Sequence, residues 1–247
     1  MWKKLFLIYY LHTKMKIFAV RIGDKYGPEY ETYLEKKLSD YELVWIREAY
    51  HPEVQLQWNK MWAMQTGIDE PVCVIDIDIL LMNDYKKIFE YPIVKGEFAA
   101  MPGWWRDTEK EGYSINGGFF KYYPTDCEYI YDKFMKDYNH WQSHYISNGT
   151  TSGPVNGEQY FVEDSVKERL KLKVLPPQWF TRWVTGEDII SGKSIKKWQV
   201  QITRKYSKLT GNDYIFLGDE FHPDIKFVHF SHRFNKPHEW EGFKDYA

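Results

Sequence analysis

The sequence of 247 residues predicts one α/β domain with a central, mostly parallel mixed sheet flanked by helices. Short apolar runs alternate with helix-like stretches from residue 15 onward. The most apolar run, Pro71–Met82, reads as a central strand covered on both faces. No repeat, linker or low-complexity block divides the chain, and its length suits a single domain with a full core. With 11 Trp, 20 Tyr and 15 Phe, intrinsic disorder is excluded as the main state. A net charge of −2 removes the electrostatic footprint of a general nucleic-acid binder. Two cysteines, Cys73 and Cys127, make neither a disulfide framework nor a cysteine zinc cluster. They point to a reducing compartment, the cytoplasm.

Residues 1–14 carry an apolar stretch, Leu5 to Leu11, too short for the ~20 residues of a membrane span. No small-residue cleavage site follows, and a second methionine, Met15, opens the first strand. The expectation is an N-terminal extension, 1–14, ahead of a domain spanning 15–247. Lys16–Ile22 is a strand closed by Gly23-Asp24. Tyr26–Lys37 is a helix entered through Gly27-Pro28, and Tyr41–Ile46 alternates as a strand. In Gln55–Gln65, Leu56, Trp58, Met61, Trp62 and Gln65 recur at helical spacing. After the apolar strand come a short helix, Asp84–Glu90, and a strand, Phe98–Met101. Gly112–Tyr123 carries a Gly-Gly bend and an aromatic strand, and Asp126–Tyr138 is an amphipathic helix. Ser143–Gly157, rich in Ser, Thr, Asn and Gly, reads as a loop. Glu158–Arg169 is a helix, and Lys171–Leu175 a strand stopped by Pro176-Pro177. The rest is irregular and aromatic until a last strand, Lys226–Phe230. Sparse alanine and an excess of Lys over Arg fit an AT-rich genome, such as that of a virus or phage.

Asp76-Ile77-Asp78 ends the apolar strand. Residues i and i+2 of a strand face the same side, and the carboxyl end of a strand is the usual ligand position in open α/β sheets. Two carboxylates so close need a cation or a shared proton. Mg²⁺ or Mn²⁺ suits oxygen ligands. The structural alternative is a pair of aspartates bonding a turn and a neighbouring Lys or Arg.

This Asp-x-Asp resembles the motif of nucleotide-sugar glycosyltransferases with the Rossmann-like GT-A fold. Three further segments are similar to the retaining branch typified by glycogenin and related galactosyltransferases, family 8. Ile115-Asn116-Gly117-Gly118-Phe119-Phe120 resembles its Phe-Asn-(Ser/Ala)-Gly-Val segment, and Gly157-Glu158-Gln159 stands where that branch has Asp-Gln-Asp. Lys226-Phe227-Val228-His229-Phe230, followed by Lys236-Pro237, resembles its C-terminal Val-Val-His-Phe…Lys-Pro-Trp. The chain departs from that pattern: His232 replaces a Gly, Lys236 lies seven rather than six residues past the His, and Trp240 is three beyond Pro237.

The resemblance implies a Mn²⁺- or Mg²⁺-dependent transfer of a sugar from a nucleoside-diphosphate sugar, a UDP-sugar first, to a saccharide hydroxyl with retention. It makes His229 the third metal ligand beside Asp76 and Asp78. Asn116, Gly117 and Gly118 would lie along the donor, Lys236 would hold phosphate, and Asn116, Glu158 and Gln159 would act in catalysis. Under inversion, Glu158 or Asp164 would be the base. A nucleic-acid acceptor is a variant that the acidic net charge disfavours.

Lys60, between Trp58 and Trp62, is either a donor contact or a lysine snorkelling past core tryptophans. Tyr26 either contacts the nucleobase of the donor or belongs to a plain turn. Trp104-Trp105-Arg106 suits a sugar platform or lid packing. His222, His232 and His238 accompany His229, but no cysteine stands near enough for a zinc cluster.

Two rivals remain. A haloacid-dehalogenase-like phosphatase would use Asp76 as nucleophile and Gly218-Asp219…Asp224 as its last motif. Against it, two strands precede Asp76. A non-enzymatic carbohydrate-binding module would be all-β.

Overall fold

The computed structural model describes residues 14–103, 112–148, 151, 156–184, 189–190, 193–194, 215–217 and 224–229. The expected extension therefore lies, but for Lys14, outside the described residues. The main sheet has six strands: β1 (Lys16–Val20), β2 (Glu42–Ile46), β3 (Val72–Ile75), β5 (Glu97–Pro102), β6 (Ile115–Tyr122) and β7 (Lys171–Val174). Their order is β2-β1-β3-β6-β5-β7. β1 pairs in parallel with β2 and β3, and β5 with β7, while β6 is antiparallel to both its neighbours. Five strands thus run one way and β6 returns between them. The helices are α1 (Pro28–Lys37), α2 (Lys86–Phe89), α3 (Pro124–Lys136), α4 (Tyr138–Ser147) and α5 (Glu158–Arg169).

Strand alternation divides the core between the two faces of this sheet. Ile17 and Ala19 pack with Tyr30, Leu34, Phe89 and Phe119 on one side. Phe18 packs with Trp58, Phe98, Phe120, Phe134 and Phe161 on the other. Adjacent Phe119 and Phe120 therefore serve opposite cores.

The apolar run expected as one strand is two. β3 stops at Ile75, Asp76–Asp78 make a bend, and β4 (Ile79–Leu81) continues in a second sheet. That sheet has the order β11-β8-β12-β4, with β8 (Phe180–Val184), β11 (Ile215–Leu217) and β12 (Phe227–His229). A two-stranded hairpin, β9 (Ile189–Ile190) and β10 (Lys193–Ser194), stands apart in sequence between β8 and β11. The break has a simple cause. Two carboxylates cannot lie inside a ladder covered on both faces, so they fall where the chain passes from one sheet to the other.

Three other expectations change. The expected helix 55–65 is a 3₁₀ helix, Leu56–Gln65. Trp58, Asn59 and Lys60 are consecutive and all buried, so no single apolar stripe with 3.6 periodicity applies. Trp58 stacks on Phe134 of α3, with ring centroids 5.1 Å apart. The supposed loop from Ser143 begins inside α4, whose first turn is capped by Asp137 accepting from His140 N at 3.1 Å. Its Ser, Asn and His residues mostly face outward while Gln142 and Tyr145 are buried, so a polar surface resembled a loop. The Gly-Gly bend is instead a bulge within a continuous β6. Asn116 and Phe120 oppose adjacent Met101 and Ala100 on β5, leaving the residues between them unpaired on that side.

A residue with no sequence signal fixes α5 to β6. Glu163 is fully buried and accepts from Ser114 N at 2.9 Å, Ser114 Oγ at 2.8 Å and Ile115 N at 3.0 Å. Among the described residues, no helix is long and apolar enough to cross a membrane. Glu163→Ala should lower stability by about 1–3 kcal/mol, because it strands buried donors. Glu163→Gln, which keeps an acceptor oxygen, should lose less. Urea midpoints measure both, and equal losses would show that these hydrogen bonds do not secure the helix.

Candidate active site

The bend at Asp76–Asp78 sits at the carboxyl end of β3, beside the amino end of the reversed β6. Asp76 N donates to Gly118 O at 3.0 Å, extending the β3–β6 ladder by one rung. Across the second sheet, β12 pairs antiparallel with β4 so that His229 stands opposite Ile79, next to Asp78. The topology thus sets a histidine from the far end of the described chain against both aspartates. His229 Nε2 lies 3.1 Å from Asp76 Oδ2 and 3.6 Å from Asp78 Oδ1. The ligating atoms of these three residues fall within 4.8 Å of one another.

Each aspartate has its other oxygen anchored from outside. Asp76 Oδ1 is ion-paired with Lys60 Nζ. Asp78 Oδ2 accepts from the Tyr26 hydroxyl at 2.7 Å. Lys60 is 2% exposed, so the snorkelling alternative fails. Its ammonium also donates to Gly117 O at 2.7 Å and lies 3.6 Å from Glu158 Oε1. Glu158 begins α5 directly behind Gly117, where a Cβ would come within 2.1 Å of Glu158 Oε1. Only glycine leaves that carboxylate its place.

The bulge in β6 explains the neighbouring contacts. Its freed N–H groups need partners. Gly117 N donates to Gln159 Oε1 at 3.0 Å, and Gly118 N to Asn116 Oδ1 at 2.9 Å. Asn116 Nδ2 completes the set by donating to Gln159 Oε1 at 3.2 Å. Tyr26, Lys60, Asp76, Asp78, Asn116, Gly117, Gly118, Glu158, Gln159 and His229 therefore form one connected cluster. Lys236 lies outside the described residues, as do Trp104, Trp105, Arg106, Gly218, Asp219, His222, His232 and His238. Asp164 does not join the cluster. It lies six residues, about 9 Å, further along α5, where its Oδ2 accepts from Tyr113 and Tyr145.

Charge follows this geometry. Burial alone would lower the pKa of His229, but the Asp76 and Asp78 carboxylates outweigh it and push the imidazole up to about 9. Burial also opposes the charge on Lys60, yet Asp76 and Glu158 raise its pKa. Asp76, despite burial, is held well below the usual carboxylate range by Lys60 and His229. Burial, with Asp76 adding to it, raises Glu158. Burial and the Asp78 carboxylate raise the Tyr26 phenol.

The donor set fits a divalent cation. Two carboxylate oxygens and one imidazole nitrogen converge, and His229 Nδ1 is buried without a partner among the described residues. Carboxylate ligands suit hard divalent ions such as Mg²⁺ and Mn²⁺.

The chain has the fold of GT-A glycosyltransferases. GlyE of Streptococcus pneumoniae TIGR4 superposes with a TM-score of 0.52 at 12% identity, over 91% of this chain and 56% of GlyE. This chain thus spans little more than half the length of GlyE. The galactosyltransferase LgtC, solved with donor and acceptor sugar analogues, gives a TM-score of 0.50 at 11% identity, over 89% and 88% of the two chains. At such identities the likeness is one of fold. No protein-family model and no curated protein matches the sequence.

In this GT-A fold Asp76 follows the third strand of the main sheet in the sequence and is ion-paired, unlike the first-strand nucleophile of a haloacid-dehalogenase-like phosphatase. Nor is the domain all-β, as a carbohydrate-binding module would be.

Lys60→Met should cost about 3–5 kcal/mol at neutral pH, because it strands buried carboxylates. Those groups then carry raised folded-state pKa values. The deficit should therefore be largest at neutral pH and shrink toward pH 5, where they protonate. Urea unfolding of both proteins at pH 7.5 and pH 5 measures it. An equal deficit at both pH values would refute the electrostatic account.

Proposed function

We propose that the protein is a glycosyltransferase that depends on Mn²⁺ or Mg²⁺. It moves a sugar from a nucleoside-diphosphate sugar, a UDP-sugar first, to a hydroxyl of a saccharide acceptor, with retention. One observation carries this reading: Asp76, Asp78 and His229 converge at the sheet's ligand-binding end in a GT-A fold. Asp76, Asp78 and His229 would hold the cation, which when bound supplies charge neutralisation for a diphosphate leaving group.

The residues around it divide the remaining work. Lys60 keeps Asp76 ionised and turned toward His229. Asn116, Gly117 and Gly118, at the bulge beside Asp76, would lie along the donor; Gly117 leaves room for Glu158 and Gly118 N is held by Asn116 Oδ1. Gln159 spends its amide oxygen on Asn116 and Gly117, which leaves Nε2 to donate to a sugar hydroxyl. Glu158, held behind Gly117 by Lys60, sets negative charge beside an oxocarbenium-like centre. With retention the departing phosphate oxygen takes the acceptor proton. Lys236 would add a cation for phosphate, and Tyr26 closes the donor site beside Asp78. Two buried free thiols, Cys73 and Cys127, suit a reducing cytoplasm. The net charge of −2 favours a saccharide acceptor over nucleic acid.

Calorimetric titration with UDP, with GDP as control, tests the reading. Wild type should bind UDP only with Mn²⁺ present, and Asp78→Ala should lose that binding while keeping its circular dichroism. Folded wild type that binds neither nucleotide with Mn²⁺ would overturn it.

A further inference from the structure

The Asp76–Asp78–His229 cluster has a symmetry that the metal reading does not require. Each carboxylate is divided. One oxygen faces His229 Nε2, and the other is held by a donor outside the cluster. For Asp76 the outside donor is a buried ammonium. For Asp78 it is the phenol of Tyr26, at 2.7 Å. Tyr26 sits in the turn between β1 and α1, a segment with no other part in the cluster. Its ring is braced edge-on against Tyr30 at a centroid distance of 5.1 Å, and Lys25 Nζ lies 4.7 Å from its centroid. The phenol is thus a braced donor.

We propose that Tyr26 is a positioning residue that restricts Asp78 to one ligating oxygen, and that this restriction makes the site select Mn²⁺ and Mg²⁺ over Ca²⁺. The proposal rests on the metal reading above and adds a specificity device to it. Ca²⁺ takes six to eight oxygens at 2.3–2.6 Å and commonly uses both oxygens of a carboxylate. Mg²⁺ takes six in a near-octahedral shell at about 2.0–2.1 Å and needs one oxygen from each. With both aspartates divided, this chain offers three ligating atoms on one side. Three atoms would supply half of a six-ligand shell and fall well short of a calcium shell. Without the Tyr26 hydroxyl, Asp78 could turn both oxygens inward. Partners of this outer kind are typically worth 10–100-fold in metal affinity.

The test is calorimetric titration of the nucleotide-free protein with MnCl₂ and with CaCl₂. Wild type should prefer Mn²⁺. Tyr26→Phe should weaken Mn²⁺ binding by about 10–100-fold and narrow the Mn²⁺/Ca²⁺ affinity ratio by about tenfold or more. Tyr33→Phe is the control. It removes a buried hydroxyl that accepts from Leu81 N of β4 at 2.7 Å, away from the aspartate bend, so it should leave the ratio unchanged. A measurement on wild type alone guards against a variant that fails to fold. Pulsed EPR of the Mn²⁺-loaded protein should count about three bound waters, the remainder of a six-coordinate shell with single-oxygen carboxylates. Two waters, or a Tyr26→Phe ratio equal to wild type, would overturn the proposal and leave the metal site standing. Folded wild type that binds no Mn²⁺ would overturn both.

Discussion

A single buried ammonium holds the candidate site together. Lys60 lies where Asp76 and Glu158 would otherwise face each other as uncompensated charges in a space nearly closed to water. An isolated carboxylate there is too costly to persist. The lysine reaches that point because the 3₁₀ helix carrying it is wedged against α3 through the Trp58–Phe134 stack. It reaches Glu158 because Gly117 has no side chain to block the way. One charge thus links the 3₁₀ helix, the bend after β3, strand β6 and the start of α5. Displacing any of them leaves an ion without its partner, so the local folds of four segments are coupled electrostatically.

The aspartates add a second constraint. Lys60 answers for only part of the negative charge, and His229 answers for more by holding a proton well above its ordinary range. The imidazolium thus offsets charge at the two aspartates. Under the proposed function, a divalent ion would enter by exchanging with that proton.

Much of this was legible in the residues. The alternation of apolar runs and helices located the main-sheet strands within a few residues. Asp76 and Asp78 stood out because carboxylates are incongruous in so apolar a run. Asn116, Gly117, Gly118, Glu158, Gln159 and His229 came from a resemblance, and the structure gathers them into one place. The failures share a cause. Periodicity reports burial on one face, so it misjudged Leu56–Gln65, whose residues Trp58–Met61 are buried in succession, and α4, whose exposed face is polar. The break at Asp76 was hidden because residues on both sides are equally apolar, Cys73 and Ile75 of β3 and Ile79, Leu80 and Leu81 of β4 packing into one shared core. Glu163 was invisible because an acid within a helix ordinarily faces water, and its partners are set by a strand nearly fifty residues earlier.

The handover from β3 to β4 bears on how the molecule comes into being. All six strands of the main sheet lie between Lys16 and Val174. His229 joins only when β12 docks on β4, a pairing that spans about 150 residues of sequence. A nascent chain emerging from the ribosome can therefore complete its larger sheet while the two aspartates still lack their histidine. Assembly of the ligand set is the slow, long-range event in such an order. An interrupted chain would be folded in large part yet lack the Asp76–Asp78–His229 cluster.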